Sequence, residues 1–249
     1  MTAALYQLHR VVFGALVYAY GVMWVGGILA YIVLGSPPSD ARWTAPVFLL
    51  LAGLIVLITA RRSEFAALLA AGGFGFAAEA LGVRFGFLFG KYEYTATLTP
   101  HWLGVPLVMM SAWMVLVAYL WQMTRAISAS RPLRIAIASL WMTAIDLVID
   151  PPAAGQLDYW HWFDSGAYYG IPAHNFLGWL VVSLALFSLI AFLHPDNSPN
   201  YAARYTGLSI VIFFTVIAFA LGLWLAGGIG ALLCGLHLLL SSPKPQVEG

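Results

Sequence analysis

Charged residues are scarce in this sequence, and so is cysteine. Asp, Glu, Lys and Arg together make up 8% of the 249 residues, and 62% are hydrophobic, whereas a soluble domain usually carries about 25% charged residues. So little charge excludes a water-soluble globule, and the hydrophobic content excludes intrinsic disorder. The single cysteine, Cys234, cannot form a disulfide within the chain. The composition therefore indicates an integral membrane protein.

Lysine and histidine are too few or too scattered for several kinds of membrane site. The two lysines, Lys91 and Lys244, lie outside the apolar runs, which excludes a retinal-type Schiff base within a span. The six histidines show no HxxxH or HxxHH spacing, which excludes a membrane di-iron oxygenase. A net charge of +1, without clusters of basic residues, argues against nucleic-acid binding.

Long apolar runs fill most of the chain. A spanning helix needs about 20 mostly apolar residues. The runs are Val11–Leu34, Thr44–Ala60, Phe65–Val83, Leu103–Met123, Arg134–Ile149, His174–Leu193, Thr206–Leu223 and Leu225–Leu240. The last two form a stretch too long for one span, and Gly227–Gly228 offers a break. The sequence therefore predicts one all-α domain over residues 1–249, a polytopic transmembrane helix bundle with eight helices, with seven as the alternative.

The distribution of Lys and Arg predicts the orientation of the bundle. Cytoplasmic loops hold the excess of basic residues. With the N-terminus inside, eight of the eleven Lys and Arg residues fall on the cytoplasmic side. That count includes Lys244, in a polar tail expected to be frayed. We therefore expect a multi-pass protein of a bacterial-type inner or cell membrane with a cytoplasmic N-terminus, and two long outer loops, Arg84–Trp102 and Pro151–Ala173.

Three carboxyl side chains are predicted to lie within spans: Glu79 in the third run, and Asp146 and Asp150 in or near the fifth. A carboxylate in hydrocarbon costs a few kcal/mol, so such residues mark functional sites. Asp146 and Asp150 are spaced i, i+4 and share one face of a helix, which Pro151–Pro152 is expected to end. Two neighbouring acids on one face should keep one of them protonated, as a candidate proton donor.

Simpler explanations exist for these polar residues. The three acids could form ion pairs with Arg84 or Lys91 instead of catalysing a reaction. Asp158, His161 and Asp164 could bind a divalent metal, but a solvent-exposed polar loop explains their spacing more simply. We therefore expect no metal site.

Several segments together resemble one known family. The first block comprises residues 146–151 (Asp-Leu-Val-Ile-Asp-Pro), 159–162 (Tyr-Trp-His-Trp) and 168–179 (Tyr-Tyr-Gly-Ile-Pro-Ala-His-Asn-Phe-Leu-Gly-Trp). The second comprises residues 79–82 (Glu-Ala-Leu-Gly), 89–94 (Phe-Gly-Lys-Tyr-Glu-Tyr) and 104–106 (Gly-Val-Pro). With these blocks the chain resembles the CruF-type carotenoid 1,2-hydratase family, the bisanhydrobacterioruberin hydratases and γ-carotene 1′-hydroxylases.

The resemblance implies addition of water across the terminal 1,2 (1′,2′) double bond of a carotenoid ψ end group, which gives a tertiary alcohol. The implied substrates are acyclic or monocyclic carotenoids such as lycopene, γ-carotene or a C50 relative, drawn from the lipid of the membrane. No cofactor is implied, because hydration is redox-neutral. Protonation at C2 would leave a tertiary cation at C1, which carboxylates and aromatic faces stabilise.

The candidate residues suit this chemistry. Asp150 or Asp146 would donate the proton, and Glu79 and the amide of Asn175 would hold the water. The candidate catalytic residues are thus Glu79, Asp146, Asp150 and Asn175. The candidate substrate-binding residues are Tyr92, Tyr94, Trp160, Trp162, Tyr168 and Tyr169.

Other functions remain open at this stage. A neighbouring double bond could capture the same cation, which would make the protein a membrane lycopene-type cyclase. A bundle that only binds carotenoid or transports lipid would need no acid chemistry. Asp146-x-x-x-Asp150 also resembles the Mg²⁺-diphosphate motif of membrane prenyltransferases, although neither a second acidic motif nor basic residues for the diphosphate are evident.

Overall fold

Eight α-helices pack into a bundle. The computed structural model describes residues 3–125, 127–193 and 199–241. The helices are α1 (Ala3–Leu29), α2 (Thr44–Thr59), α3 (Arg62–Phe85), α4 (Met109–Thr124), α5 (Arg131–Ala154), α6 (Ala173–Leu193), α7 (Tyr201–Ala220) and α8 (Trp224–Ser241). Among the described residues, seven helices are long and apolar enough to span a membrane, if α2 is counted with the turn before it as Ser39–Thr59. The 16-residue α4 is not one of the seven. The predicted all-α bundle of eight helices is confirmed. Lys244 and the rest of the polar tail lie outside the described residues.

Helix α4 occupies the centre of the bundle. It packs against α2, α3, α5 and α7, and almost all of its side chains are buried, including Trp113, Tyr119 and Met123. Because other helices surround it, α4 is apolar on every side and carries no single polar face. Its 16 residues span about 24 Å.

The start of α4 differs from the prediction. The apolar run begins at Leu103, but residues 101–106 form a short antiparallel hairpin, and the helix begins only at Met109. Leu103 and Gly104 both have positive φ, 53° and 81°, as a two-residue type I′ turn requires. Pro106, at the end of the hairpin, also lacks the N–H that a ladder or helix would use. The predicted helix start at Leu103 is therefore wrong.

Two short antiparallel strand pairs lie at one end of the bundle. The first pair joins β1 (Tyr92–Tyr94) to β4 (Trp160–Trp162), and the second is the hairpin of β2 (His101–Trp102) and β3 (Val105–Pro106). The β1–β4 pair connects the α3–α4 loop to the α5–α6 loop. The two long loops therefore meet over the ends of α3, α5 and α6.

Helix α5 continues through the two prolines that were expected to end it, and finishes at Ala154. Pro151 has no N–H for the carbonyl of Leu147, four residues earlier. The Tyr168 hydroxyl donates to that carbonyl at 2.8 Å, so the freed acceptor is satisfied from another loop. The predicted helix end at Pro151 is wrong, because this tertiary contact replaces the missing helical hydrogen bond.

Candidate active site

The β1–β4 pair places four aromatic side chains over the bundle. Alternate residues of a strand point to the same face of a sheet, and Tyr92 pairs with Trp162 while Tyr94 pairs with Trp160. The corresponding ring centroids lie 5.0 and 5.7 Å apart. Glu93, between the two tyrosines, points the other way and is exposed. The period of two in these strands thus produces an aromatic cover on the helix side.

Glu79 lies on α3 beneath this cover and is 4% exposed. Its Oε2 accepts hydrogen bonds from the hydroxyls of Tyr92 and Tyr94, the latter at 3.1 Å, and its Oε1 accepts from Trp113 Nε1 at 3.2 Å. Trp113 comes from α4 and stacks on Trp179 of α6, with centroids 4.3 Å apart. Three donors from two elements, β1 and α4, therefore hold the Glu79 carboxyl in one orientation.

The two tyrosines remain donors at neutral pH. Burial, and next the charge of Glu79, raise the pKa of Tyr92 and of Tyr94 well above the usual tyrosine value. Both hydroxyls therefore keep their protons, and they present them to the Glu79 carboxyl.

Asn175, at the start of α6, joins the two aspartates of α5. Its Nδ2 donates to Asp146 Oδ2 and to Asp150 Oδ2, each at 2.7 Å. Asp150 Oδ1 accepts two further hydrogen bonds, from Trp160 Nε1 at 2.9 Å and Trp162 Nε1 at 3.2 Å. Asp146, Asp150 and Asn175 are each at most 3% exposed. One amide and two indoles thus supply every hydrogen bond that these two acids receive from the described residues.

The two aspartates have different surroundings although they share one helix face. Asp150 receives three N–H donors on its two oxygens, an arrangement that suits an ionised carboxylate. Asp146 receives one donor, on Oδ2, and no donor from the described part of the chain reaches its Oδ1. Asp146 Oδ1 therefore has room for a proton of its own, whereas the three donors on Asp150 would stabilise its ionised form.

These groups surround a small cavity. Its volume is about 20 Å³, measured as the space open to the centre of a water molecule, and one water needs about 10–15 Å³ by this measure. The cavity is lined by Glu79, Phe89, Tyr92, Tyr94, Met109, Asp146, Asp150, Trp160, Trp162, Asn175 and Trp179. It has room for a single water molecule in contact with both aromatic and carboxyl groups.

Eight of the ten candidate site residues thus lie together around the cavity, namely Glu79, Asp146, Asp150, Asn175, Tyr92, Tyr94, Trp160 and Trp162. Tyr168 and Tyr169 lie outside it. Tyr168 contacts Phe176, and its hydroxyl donates a hydrogen bond to the carbonyl of Leu147. Tyr169 is 41% exposed, and its hydroxyl accepts from the backbone N–H of Leu225 at 3.1 Å.

Four residues of the site are not among the candidates predicted from the sequence: Phe89, Met109, Trp113 and Trp179. Trp179 lies four residues after Asn175 on α6, so the helical period could have placed it on the same face. Met109 and Trp113 come from α4, and nothing local in the sequence indicates that α4 packs against the acids.

The structure gives no support to ion pairing of the acids. Among the described residues, no Lys or Arg lies within ion-pair distance of Glu79, Asp146 or Asp150. The guanidinium of Arg84 lies 5.6 Å from the centre of the Phe85 ring.

Asp158 and His161, which do not line the cavity, contact each other. His161 Nε2 lies 3.3 Å from Asp158 Oδ1, on the exposed side of β4. Within the described ranges, no three His, Cys, Asp or Glu side chains are grouped so that they could hold a metal ion.

The fold and the buried carboxyl cluster define a multi-pass membrane protein with a water-sized polar cavity at one end of its bundle. The chain belongs to the carotenoid biosynthesis protein family, whose model matches residues 44–241. The matched range includes every residue that lines the cavity.

Part of the chain is also similar to a curated protein. It is 33% identical over 139 residues to bisanhydrobacterioruberin hydratase of Haloarcula japonica. The match covers 53% of this chain and 45% of the relative, so the chain spans about half the length of the curated relative it matches. No solved structure matches the chain. The two sequence comparisons confirm the resemblance to the CruF-type carotenoid hydratase family.

Proposed function

We propose that this protein is a carotenoid 1,2-hydratase, which adds water across the terminal 1,2 double bond of a ψ end group by acid catalysis. The observation that carries the proposal is the unequal pair of aspartates, bridged by Asn175, beside a cavity with room for one water. Membership of the carotenoid biosynthesis family, and the hydratase name of the similar relative, support it.

Asp146 supplies the proton. Its Oδ1 delivers the proton to C2, the carbon–carbon π bond breaks, and a tertiary cation forms at C1. Asn175 donates to Oδ2 of the same carboxyl at 2.7 Å, so it stabilises the negative charge that Asp146 acquires as the proton leaves. This interaction strengthens during the reaction and therefore lowers the barrier.

The cation forms among groups that attract positive charge. The Asp150 carboxylate provides a counter-charge, and Trp160, Trp162 and Tyr92 line the same cavity with aromatic rings, whose faces attract cations. Water exclusion strengthens these electrostatic interactions. It also limits the number of nucleophiles that can reach the cation.

One water molecule completes the reaction. Its oxygen bonds to C1, and its proton passes to the Asp150 carboxylate, so the tertiary alcohol forms without a net change in protons. The proton then returns from Asp150 to Asp146, since both carboxyls lie against the Asn175 amide. Glu79, held by Tyr92 and its other donors, orients the water from the opposite wall. The reaction is redox-neutral and needs no redox cofactor.

The site is proposed to face the outer side of the membrane. Six arginines lie near the opposite end of the bundle, at the loops or helix ends of the predicted cytoplasmic side: Arg61, Arg62, Arg125, Arg131, Arg134 and Arg204. The positive-inside rule then gives a cytoplasmic N-terminus. At the outer end, the cavity is close to lipid, which supplies the carotenoid, and to solvent, which supplies the water.

Product analysis in bacteria that make lycopene tests the proposal. The wild-type chain is compared with Asp146→Asn and Glu79→Gln, and with the exposed controls Asp164→Asn and Glu93→Gln. We expect a product heavier by one water from the wild type and both controls. The loss of a general acid should reduce this product by about 10²–10⁴-fold in Asp146→Asn.

The other outcomes separate the alternative functions. A product of unchanged mass with cyclised end groups would identify a cyclase. If lycopene, γ-carotene and a C50 carotenoid all stay unmodified by well-folded protein, a binding bundle without catalytic activity is favoured. Equal product from Asp146→Asn and the wild type would contradict the role of Asp146.

A further inference from the structure

A second cavity, entirely apolar in character, lies beside the acid cavity. Its volume is about 60 Å³ by the same measure. It lies between α2, α4, α5 and α7, and its lining includes Ala52, Ala112, Leu116, Ile149, Ile210 and Phe214. Apolar cavities of this kind stay dry and bind hydrocarbon ligands. Its chemistry therefore suits a hydrocarbon chain and not water.

The two cavities share part of their walls. Met109 and Trp160 line both of them. Trp160 donates its Nε1–H to Asp150 from the acid side and borders the apolar space as well. Met109 is an unbranched side chain with three rotatable bonds and adapts readily to a ligand.

The apolar cavity borders about two turns of α4. Its lining residues on this helix extend from Met109 to Leu116, which is about 10 Å along the helix axis. A linear ligand with its end between the aspartates would therefore continue along α4, deeper into the bundle. A carotenoid has this form: a compact end group attached to a straight apolar polyene.

We propose that the apolar cavity between α2, α4, α5 and α7 binds the polyene next to the reacting end group, with Met109 and Trp160 as the partition that opens on binding. The inference rests on the proposed hydratase function. It assigns a binding role to Ala52, Ala112 and Ile210, whose size limits the thickness of the chain that enters.

An open groove on the surface of the bundle offers a competing route. It lies between α3 and the β2–β3 hairpin, is lined by Ala77, Leu81, Trp102 and Leu103 among others, and has a volume of about 730 Å³. No residue that lines this groove also lines the acid cavity. A polyene in the groove would therefore lack the shared wall that leads to the aspartates.

Two matched substitutions distinguish the cavity from the groove. Ala52→Leu adds three carbon atoms inside the apolar cavity, at a position 1% exposed. Ala77→Leu adds the same atoms in the exposed groove. Each variant is purified in mild detergent from lycopene-producing bacteria, and both the carotenoid bound per protein and its hydrated fraction are measured. Ala112→Val adds two carbon atoms to another residue that lines the same cavity.

We expect Ala52→Leu to lower the bound carotenoid by about tenfold or more, since overpacking excludes the chain. Ala112→Val should lower it less, and Ala77→Leu should match the wild type. Monodisperse elution in size-exclusion chromatography is required of each variant, and Ala112→Val decides the result if Ala52→Leu does not fold.

Three results would overturn the inference: wild-type binding in both cavity variants, loss of binding in Ala77→Leu instead, or no carotenoid bound to the wild type. Failure of the proposed function gives a different result. In that case the wild type binds carotenoid but does not hydrate it, while Ala52→Leu still lowers the bound amount.

Discussion

The indole donors to Asp150 provide a sharp test of the proposed charge on that residue. Trp160 and Trp162 donate to the same carboxyl oxygen at 2.9 and 3.2 Å. Trp160→Phe keeps an aromatic ring beside Tyr94 but removes the N–H donor. The variant therefore separates hydrogen bonding to Asp150 from aromatic packing in the cavity wall.

The size of the expected effect follows from the strength of one charged hydrogen bond. Such a bond contributes about 1.5–3 kcal/mol, and about 1.4 kcal/mol changes a rate tenfold. We expect Trp160→Phe to hydrate lycopene roughly ten to a hundred times more slowly, because an Asp150 carboxylate with fewer donors is less available as counter-charge and base. The hydration rate should fall less in Trp162→Phe, since the hydrogen bond from Trp162 to Asp150 is longer.

The assay measures initial rates of hydration by purified protein at several lycopene concentrations, with products separated by chromatography. The expected signature is a lower kcat with little change in KM, because the ring that contacts the substrate remains. Trp102→Phe, at a Trp that is 61% exposed, is the matched control. The reasoning would be refuted if Trp160→Phe kept the wild-type rate while Trp160→Ala lost it, since packing alone would then explain Trp160.

Two further substitutions test how the site is supported. Tyr168→Phe should lower the free energy of unfolding by about 1–3 kcal/mol, because the Leu147 carbonyl loses its donor; an unchanged melting temperature in detergent would contradict this. Gly178→Ala should destabilise by about 1–3 kcal/mol and also lower hydration, because its Cβ would overlap the Leu88 carbonyl. Gly21→Ala, with open space at its Cβ, should melt like the wild type, and equal melting of both glycine variants would disprove the packing argument.

Much of the architecture could be predicted from the sequence. The scarcity of charge and the length of the apolar runs predict a helical membrane bundle, because only helices satisfy backbone groups locally in lipid. The cost of a carboxylate in hydrocarbon singled out Glu79, Asp146 and Asp150 as site candidates. The helical period put the two aspartates on one face, and the structure brings all three acids to one cavity.

The tertiary structure alone decided how the aromatic residues reach the acids. Tyr92 meets Trp162, a residue in another loop of the chain, through strand pairing, and a local pattern does not specify such long-range pairing. The same holds for Trp113, which reaches Glu79 because α4 packs in the centre of the bundle.

Tyr168 shows the converse. It was a substrate-binding candidate, but its hydroxyl donates to the Leu147 carbonyl that Pro151 leaves free, and this contact lets α5 continue past the proline. Local spacing determines which side chains share a helix face. Contacts between distant segments determine which of those side chains meet, because each depends on how several helices pack at once.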